Sequence, residues 1–443
     1  MSGARYALVA AVLAACLGAD RDAAGAATLK TLYSFCATDC SDGETPLAGL
    51  LRDPSGTFYG VAIDGGPERK GSVYAMVPSR GQKLKFMQLY AFCPGGDCTT
   101  GRYPTTKPIV DAAGNVYGTT NGYSDDTGTV YELIPNRGKT KWKIKVLYHF
   151  CPGGTGSGCP DGAFPSSALT YAGKASGLPY DGTSPLFGTA SWGGHGQGTV
   201  FELVPDGHGG WTQSVVYSFC AAIPCPDGAV PLGDLTLDAD GNIFGTTEEG
   251  GSAISGGTVF ELTGAARGRA VSETVLYNFC SQPNCADGQL PAAGVTFDGA
   301  GNLFGVVQAG GANFGGAVYK LVPAGTSSSY QLLYSFCVTG KRCDDGAVPT
   351  GQLTIDASGN LYGTTVFGGG KKKGGTVYEL VAGGGGSYQL STLYVFCSAK
   401  KCKDGYSPDG GVTMDAMGNL FGVTEKSPTD PLGDGGTVFE FTP

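Results

Sequence analysis

The residues of this chain best equipped for chemistry are its cysteines. An aromatic phrase ending in cysteine occurs seven times, at Leu32–Cys36, Leu89–Cys93, Leu147–Cys151, Val216–Cys220, Leu276–Cys280, Leu333–Cys337 and Leu393–Cys397. A second cysteine follows each. The sequence therefore pairs Cys36 with Cys40, Cys93 with Cys98, Cys151 with Cys159, Cys220 with Cys225, Cys280 with Cys285, Cys337 with Cys343 and Cys397 with Cys402. Only Cys16 is left over. Paired thiols can bind metal or form disulfides. Structural zinc takes four ligands, and no histidine accompanies these pairs. In an oxidising compartment the pattern reads as seven local disulfides, one per repeat. Each closes a short loop, a constraint that stabilises by about 2 kcal/mol in the chain-entropy model.

The remaining chemistry is sparse. The three histidines, His149, His195 and His208, fall on an outer strand and on loops at opposite ends of the inferred repeat. A triad or a zinc site needs them to converge. There is no Gly-x-Ser-x-Gly elbow, no His-Glu-x-x-His and no phosphate-binding loop. Asp238–Asn242 has a faint likeness to a calcium loop but lacks the downstream bidentate Glu, so it reads as a turn. Asp53, Asp111, Asp238, Asp298, Asp356 and Asp415 recur at one repeat position. Paired carboxylates would suit glycoside hydrolysis. Periodic ones read instead as caps of a recurring tight turn.

Positioning falls to the repeat itself. The aromatic phrases are 57 to 69 residues apart, and only the third repeat is markedly long. After the second cysteine comes Asp-Gly-x-x-Pro in six repeats, with Thr100, Gly101 and Pro104 in the second. This is turn chemistry, with Asp capping its own backbone and Gly supplying positive φ. An alternating run then ends in Asp, as in Leu353–Asp356. A Gly-Asn turn and an aromatic strand follow, then Gly-Thr-Val-aromatic-Glu-Leu. Two β-type runs around such a turn form a hairpin.

Four short strands per repeat and no helical period predict an all-β, seven-bladed β-propeller with four-stranded blades. The Leu-Thr-x-Asp run would line the channel and the Tyr-x-Phe-Cys strand would lie outermost. The sequence from Leu29 starts with an outermost-type strand, and Thr437–Phe441 is a third-type strand. Pairing the two would close the last blade with the N-terminal strand and remove the open edge.

Residues 1–27 read as an export signal and short tether, and 28–443 as the propeller. Arg5 precedes an apolar run, Tyr6–Ala15. Ten residues are too few to span a ~30 Å hydrocarbon core, which takes ~20. Leu13–Cys16 matches a lipobox, making Cys16 a lipidation candidate. The alternative is cleavage after the small residues 25–27. Either route places the protein outside the cytoplasm, with membrane contact only through an N-terminal lipid.

The chain resembles the GloVer tandem-repeat family of exported bacterial proteins. The likeness rests on the Tyr-x-Phe phrase, Asp-Gly-x-x-Pro, Gly359–Thr365 and Gly-Thr-Val-Tyr-Glu-Leu, and it runs from Leu29 to Pro443. It implies an extracellular or surface location and brings no catalytic residues. The cysteine pairs set this chain apart from many members. It shows no C-terminal sorting tail, which favours an anchor at Cys16.

The net charge of −9 shows no basic stripe of the kind nucleic acid requires. Symmetry breaks in the third repeat, where 174–185 are inserted and Asp181 takes the place of the inner-run Asp. The same repeat carries Trp192 and His195 in a rim loop, where they could stack on a sugar ring or meet a partner. Tyr123, Glu248, Glu249, Phe367 and Lys371 fall in equivalent loops. The expectation is a monomeric, non-catalytic surface or secreted protein without a cofactor, binding a glycan or a protein. The alternative is a propeller hydrolase or lyase acting on polysaccharide or a small extracellular compound.

Overall fold

A computed structural model describes residues 27–443 except 80, 82, 124–125, 153–157, 175–176, 253–255, 266–269, 325–326 and 428–434. The export-signal and Cys16 readings lie outside the described residues. The chain forms seven four-stranded antiparallel sheets arranged as a seven-bladed propeller. Blades 1 to 6 use consecutive strands within 51–91, 109–149, 163–218, 236–278, 296–335 and 347–395. Blade 7 takes Tyr406–Met414, Leu420–Lys426 and Thr437–Thr442, and its fourth strand is Thr28–Ser34. Thr28 pairs with Thr442 and Ser34 with Thr437, so the N-terminal strand closes the ring as the sequence predicts.

The repeated residues have identifiable jobs. Each third strand carries a fully buried aromatic: Tyr74, Tyr131, Phe201, Phe260, Tyr319, Tyr378 or Phe439. Its ring lies across the glycine of the second strand. A Cβ on Gly60, Gly118, Gly188, Gly245, Gly305, Gly363 or Gly422 would come within 2.3–2.6 Å of that side chain. This is why Gly interrupts an otherwise apolar strand. The phenylalanine of the aromatic-Cys phrase packs edge-to-face on the aromatic of the next blade. Centroids are 5.0–5.4 Å apart from Phe35–Tyr74 round to Phe396–Phe439. Such pairs contribute about 0.5–1.5 kcal/mol beyond their burial.

Every pairing between third and fourth strands shifts register at the same point. The residue skipped is the first of the phrase: Leu32, Leu89, Leu147, Val216, Leu276, Leu333 or Leu393. It is a β-bulge, which increases local twist and turns the fourth strand toward the disulfide corner.

On the channel side, threonines of the inner strands tie neighbouring blades. Thr236 Oγ1 donates to Val295 O and Thr296 Oγ1 to Leu353 O, both at 2.7 Å. Thr354 bonds Val412 O, and Thr413 bonds Leu50 O across the closure between blades 7 and 1.

The described part of the blade 3 insertion reaches into the core through Tyr180. Tyr180 is fully buried, donates to Ser184 O at 2.6 Å, and meets Tyr117 of blade 2 edge-on at 5.1 Å. Asp181 accepts from the Thr183 and Ser184 N–H groups, the capping role expected of it.

Candidate functional site

All seven cysteine pairs read from the sequence are bonded. Cys36 is joined to Cys40, Cys93 to Cys98, Cys151 to Cys159, Cys220 to Cys225, Cys280 to Cys285, Cys337 to Cys343 and Cys397 to Cys402. They share one face of the ring with the corner prolines and the loops between second and third strands. The first cysteine of every pair has φ between 47° and 68°. Five of the second ones, Cys40, Cys225, Cys285, Cys343 and Cys402, are also left-handed, whereas Cys98 and Cys159 are not. L-residues resist that conformation by roughly 1–2 kcal/mol, so each bridge holds a corner that the chain would not keep unaided.

The Asp of Asp-Gly-x-x-Pro does not cap its own turn, which corrects the expectation from sequence. Its carboxylate reaches back across the disulfide loop. Asp287 accepts from Tyr277 Oη at 2.9 Å, from the Ser281 N–H and hydroxyl, and from the Gln282 N–H. Asp42, Asp161, Asp227, Asp345 and Asp404 take the tyrosine hydroxyl of their own repeats in the same way. Burial and then the neighbouring carboxylate push the Tyr277 phenol up to about 12. In the second sequence repeat the Thr100 hydroxyl meets Tyr90 Oη at 3.1 Å instead.

The residue before each corner proline is also left-handed, at φ 55–60° from Thr45 to Ser407. Tyr103, Phe164, Val230, Leu290, Val348 and Ser407 donate their N–H groups to the preceding blade, Val230 to Gln197 O at 2.8 Å. The proline then abuts a glycine of that blade. An added Cβ on Gly198 would lie 2.4 Å from Pro231, and one on Gly436 would lie 2.3 Å from Pro46. These residues are architecture, which leaves the non-periodic ones as candidates for function.

Of the rim candidates, Tyr123 lines a cleft. Its ring is 68 % exposed and stands edge-on to Tyr103, 6.4 Å away. With Ile63, Asp64, Thr105, Asn121 and Gly122 these rings enclose 320 Å³. Both tyrosines are held. Lys70 Nζ donates to Tyr103 Oη at 2.7 Å and lies 5.1 Å from the ring centroid. Arg102 grips the Tyr123 carbonyl and pairs with Asp126 at 3.5 Å.

Trp192 is 45 % exposed and pairs with Ala163 at the edge of blade 3. His195 is exposed, its N–H bonded to Ser218 Oγ at 2.8 Å. Burial, and then Glu249, raise the Glu248 carboxyl above the usual range. Phe367 and Lys371 are exposed on blade 6. These residues share the disulfide face but stand on blades 3, 4 and 6, outside the cleft. His149 ends the outer strand of blade 2, and His208 lies in a loop on the opposite face, where its N–H donates to the Asp206 carboxylate.

The inner-run acids are spent in turns. Asp238 accepts from the Asp240 and Asn242 N–H groups and from Asn242 Nδ2, all within 2.9 Å. Asp298, Asp356 and Asp415 repeat the pattern. Among the described residues, Cys36, Cys40 and Glu44 are the one His/Cys/acid group close enough to share a metal, but the two sulfurs are bonded to each other.

The channel carries residues that sequence reasoning missed. A 390 Å³ cavity opens from the disulfide face, lined by the residues that follow the corner prolines, among them Lys107, Asp234, Gln352 and Asp409. It shares Thr105 and Asn121 with the tyrosine cleft. Burial raises the Asp409 carboxyl, while the Gly410 N–H and Thr350 pull the other way. Burial lowers Lys174 to about 8, Lys107 adds to the fall, and Asp234 opposes it.

Among solved structures the chain is similar to a candidate 6-phosphogluconolactonase from Bacteroides uniformis, at 12 % identity over 90 % of this chain and 100 % of the other, with a TM-score of 0.49. A puromycin-hydrolysing peptidase of Mycobacterium tuberculosis matches at 12 % identity over 93 % of this chain and 54 % of its own, also at 0.49. PorZ, a surface component of the type-IX secretion system of Porphyromonas gingivalis, matches at 11 % over 83 % and 47 %, at 0.42. At this identity and overlap none of them bears on activity or ligand. No curated protein matches the sequence. The model of the Gloeobacter/Verrucomicrobia repeat matches residues 21–184, 163–374 and 269–443, and with seven such repeats closed into one ring the chain belongs to that family.

Proposed function

We propose that this protein is an exported, non-catalytic binding propeller that holds a glycan on its disulfide face. The observation that carries this is the tyrosine cleft at the rim of blades 1 and 2. A sugar offers an apolar ring face and a rim of hydroxyls. Tyr103 and Tyr123 supply aromatic surface, with the Asp64 carboxylate and the Asn121 amide beside it. Seven disulfides fit an oxidising, extracytoplasmic setting, and no described helix is long and apolar enough to cross a membrane. The periodic carboxylates support the non-catalytic part, since their lone pairs are engaged in turns and corners.

The test is binding of the oxidised protein to a broad glycan array, with the supernatants assayed for cleavage products. Retention without products, weakened about tenfold by Tyr123→Ala, supports the reading. A glycan bound equally well by Tyr123→Ala would remove the cleft from it. Products would favour the second reading, a hydrolase or lyase. That reading draws on Asp409 and Lys174, whose environments push an acid up and a base down in one channel.

A further inference from the structure

The middle of the channel departs from sevenfold symmetry at several positions at once. The third residue after each corner proline is Gly49, Lys107, Ala168, Asp234, Gly294, Gln352 or Gly411, in order around the ring. The small residues leave room for the long side chains to cross. Lys107 extends past Gly49, where an added Cβ would sit 3.9 Å from its Cδ. Gln352 reaches back over two blades, donating to Val295 O at 2.6 Å and to Thr236 Oγ1 at 3.2 Å. Asp234 accepts the Ala168 N–H at 2.7 Å. Lys174, from the blade 3 insertion, donates to Leu169 O at 2.9 Å.

Lys107 and Gln352 line the cavity on the disulfide side. With Lys174 they also line an 860 Å³ cavity that opens between the hairpin turns of the opposite face. They therefore form the partition where the two cavities meet. The Lys107 ammonium has no hydrogen-bond or ion-pair partner among the described residues. Lys107 and Lys174 share the waist with two carboxylates that are already engaged, Asp234 by the Ala168 N–H and Asp409 by the Gly410 N–H. Burying like charges together costs free energy unless a counter-charge sits between them.

We propose that this waist binds a small oxyanion, a carboxylate or a phosphate, between Lys107 and Lys174. The site is separate from the tyrosine cleft and does not depend on the glycan reading. An anion there gives the Lys107 ammonium the partner it lacks among the described residues and replaces lost water with ammonium donors. Its affinity should depend on pH. With Lys174 held near 8 by burial and by Lys107, raising the pH from 7 to 9 discharges one of the two cations and weakens binding. The other charged groups facing it are Asp234 and Asp409, with Asp356 and Asp415 at the far end of the lower cavity.

The experiment is calorimetric titration of the oxidised protein with inorganic phosphate and, separately, with glucuronate, at constant ionic strength. Wild type should bind at least one probe. Lys107→Met and Lys174→Met, which keep the aliphatic stems, should each lose about tenfold or more. The fall in affinity between pH 7 and 9 should flatten in Lys174→Met, and Tyr123→Ala should bind as wild type does. Binding of phosphate alone assigns a phosphate ligand, and binding of glucuronate alone assigns a sugar acid. Should Lys174→Met fail to fold, Lys107→Met decides, because Lys107 makes no structural bond. No binding of either probe, or binding that Lys107→Met leaves unchanged, overturns the proposal.

Discussion

The disulfide corners and the channel waist occupy the same propeller under opposite rules. At the corners, seven blades solve one problem one way: a bonded cysteine pair, a hydrogen-bonded outer-strand tyrosine, a left-handed residue before the proline, and a proline against the previous blade's glycine. At the waist no two blades share a long side chain. Lys107, Asp234, Gln352 and the Lys174 insertion each occur once. Repetition belongs to what the ring needs in every blade to close without strain or an open edge. Departure from it is free to serve a ligand, because the aromatic pairs and proline–glycine contacts that join the blades do not run through the inward residue.

Breaking all seven corners should give the largest effect. Full reduction removes seven loop constraints of about 2 kcal/mol each in the chain-entropy model. It also releases twelve left-handed cysteines. The melting temperature should fall by well over ten degrees, with free thiols counted to confirm reduction. An unchanged melting temperature with all thiols free would show that the corners hold without their bridges. Neither Lys107→Met nor Gln352→Ala should move it by more than a few degrees, and a large loss from either would make the waist structural.

A corner can also be broken one blade at a time. Asp287 is fully buried and receives four bonds. Asp287→Ala strands the Tyr277 hydroxyl and two backbone N–H groups, a loss of about 3 kcal/mol. At the corner after blade 1 the corresponding contact is between the neutral Thr100 and Tyr90, so Thr100→Ala should lose about 1 kcal/mol. Chemical denaturation of the two variants measures the difference. Equal losses would mean the carboxylate is no better a partner than the hydroxyl.

The contrast also explains what was legible in the sequence. Blade count, strand order, cysteine pairing and ring closure could be read because each rests on residues that recur at a fixed place. The bulge at Leu32 and its six counterparts could not, since a skipped leucine and an alternating leucine look the same on paper. The role of the corner Asp was misread because Asp-Gly already satisfies local turn chemistry, and nothing local points to a tyrosine some ten residues back. Tyr123 stood out as an aromatic in a rim loop. Tyr103 did not, because it fills a variable position of the turn motif and meets Tyr123 only in the folded rim. Lys107, Asp234 and Gln352 were missed because each is a lone exception at a position dominated by glycine and alanine. Aligning the seven repeats column by column after the proline is the signal that could have found them.

The smallest effect is expected where repetition is incomplete for no structural gain. The third-strand aromatic is tyrosine in blades 1, 2, 5 and 6 and phenylalanine in blades 3, 4 and 7. The hydroxyls of Tyr74, Tyr131, Tyr319 and Tyr378 are buried and have no hydrogen-bond partner among the described residues. Burial alone pushes their phenols far above the ordinary range. An unpartnered buried hydroxyl gives up its bonds to water on folding and gets nothing back. Tyr319→Phe should therefore leave stability unchanged or raise it by up to about 1 kcal/mol. Tyr277→Phe, which removes one of the four bonds to Asp287, should lower it by about 1–2 kcal/mol. The two variants delete the same atom from adjacent positions in one interblade contact, since both rings pack on Phe279. Urea titration of the pair separates a hydroxyl that works from one that does not. A loss above about 1 kcal/mol in Tyr319→Phe would show that its hydroxyl has a partner after all, and that the seven aromatic positions are not interchangeable.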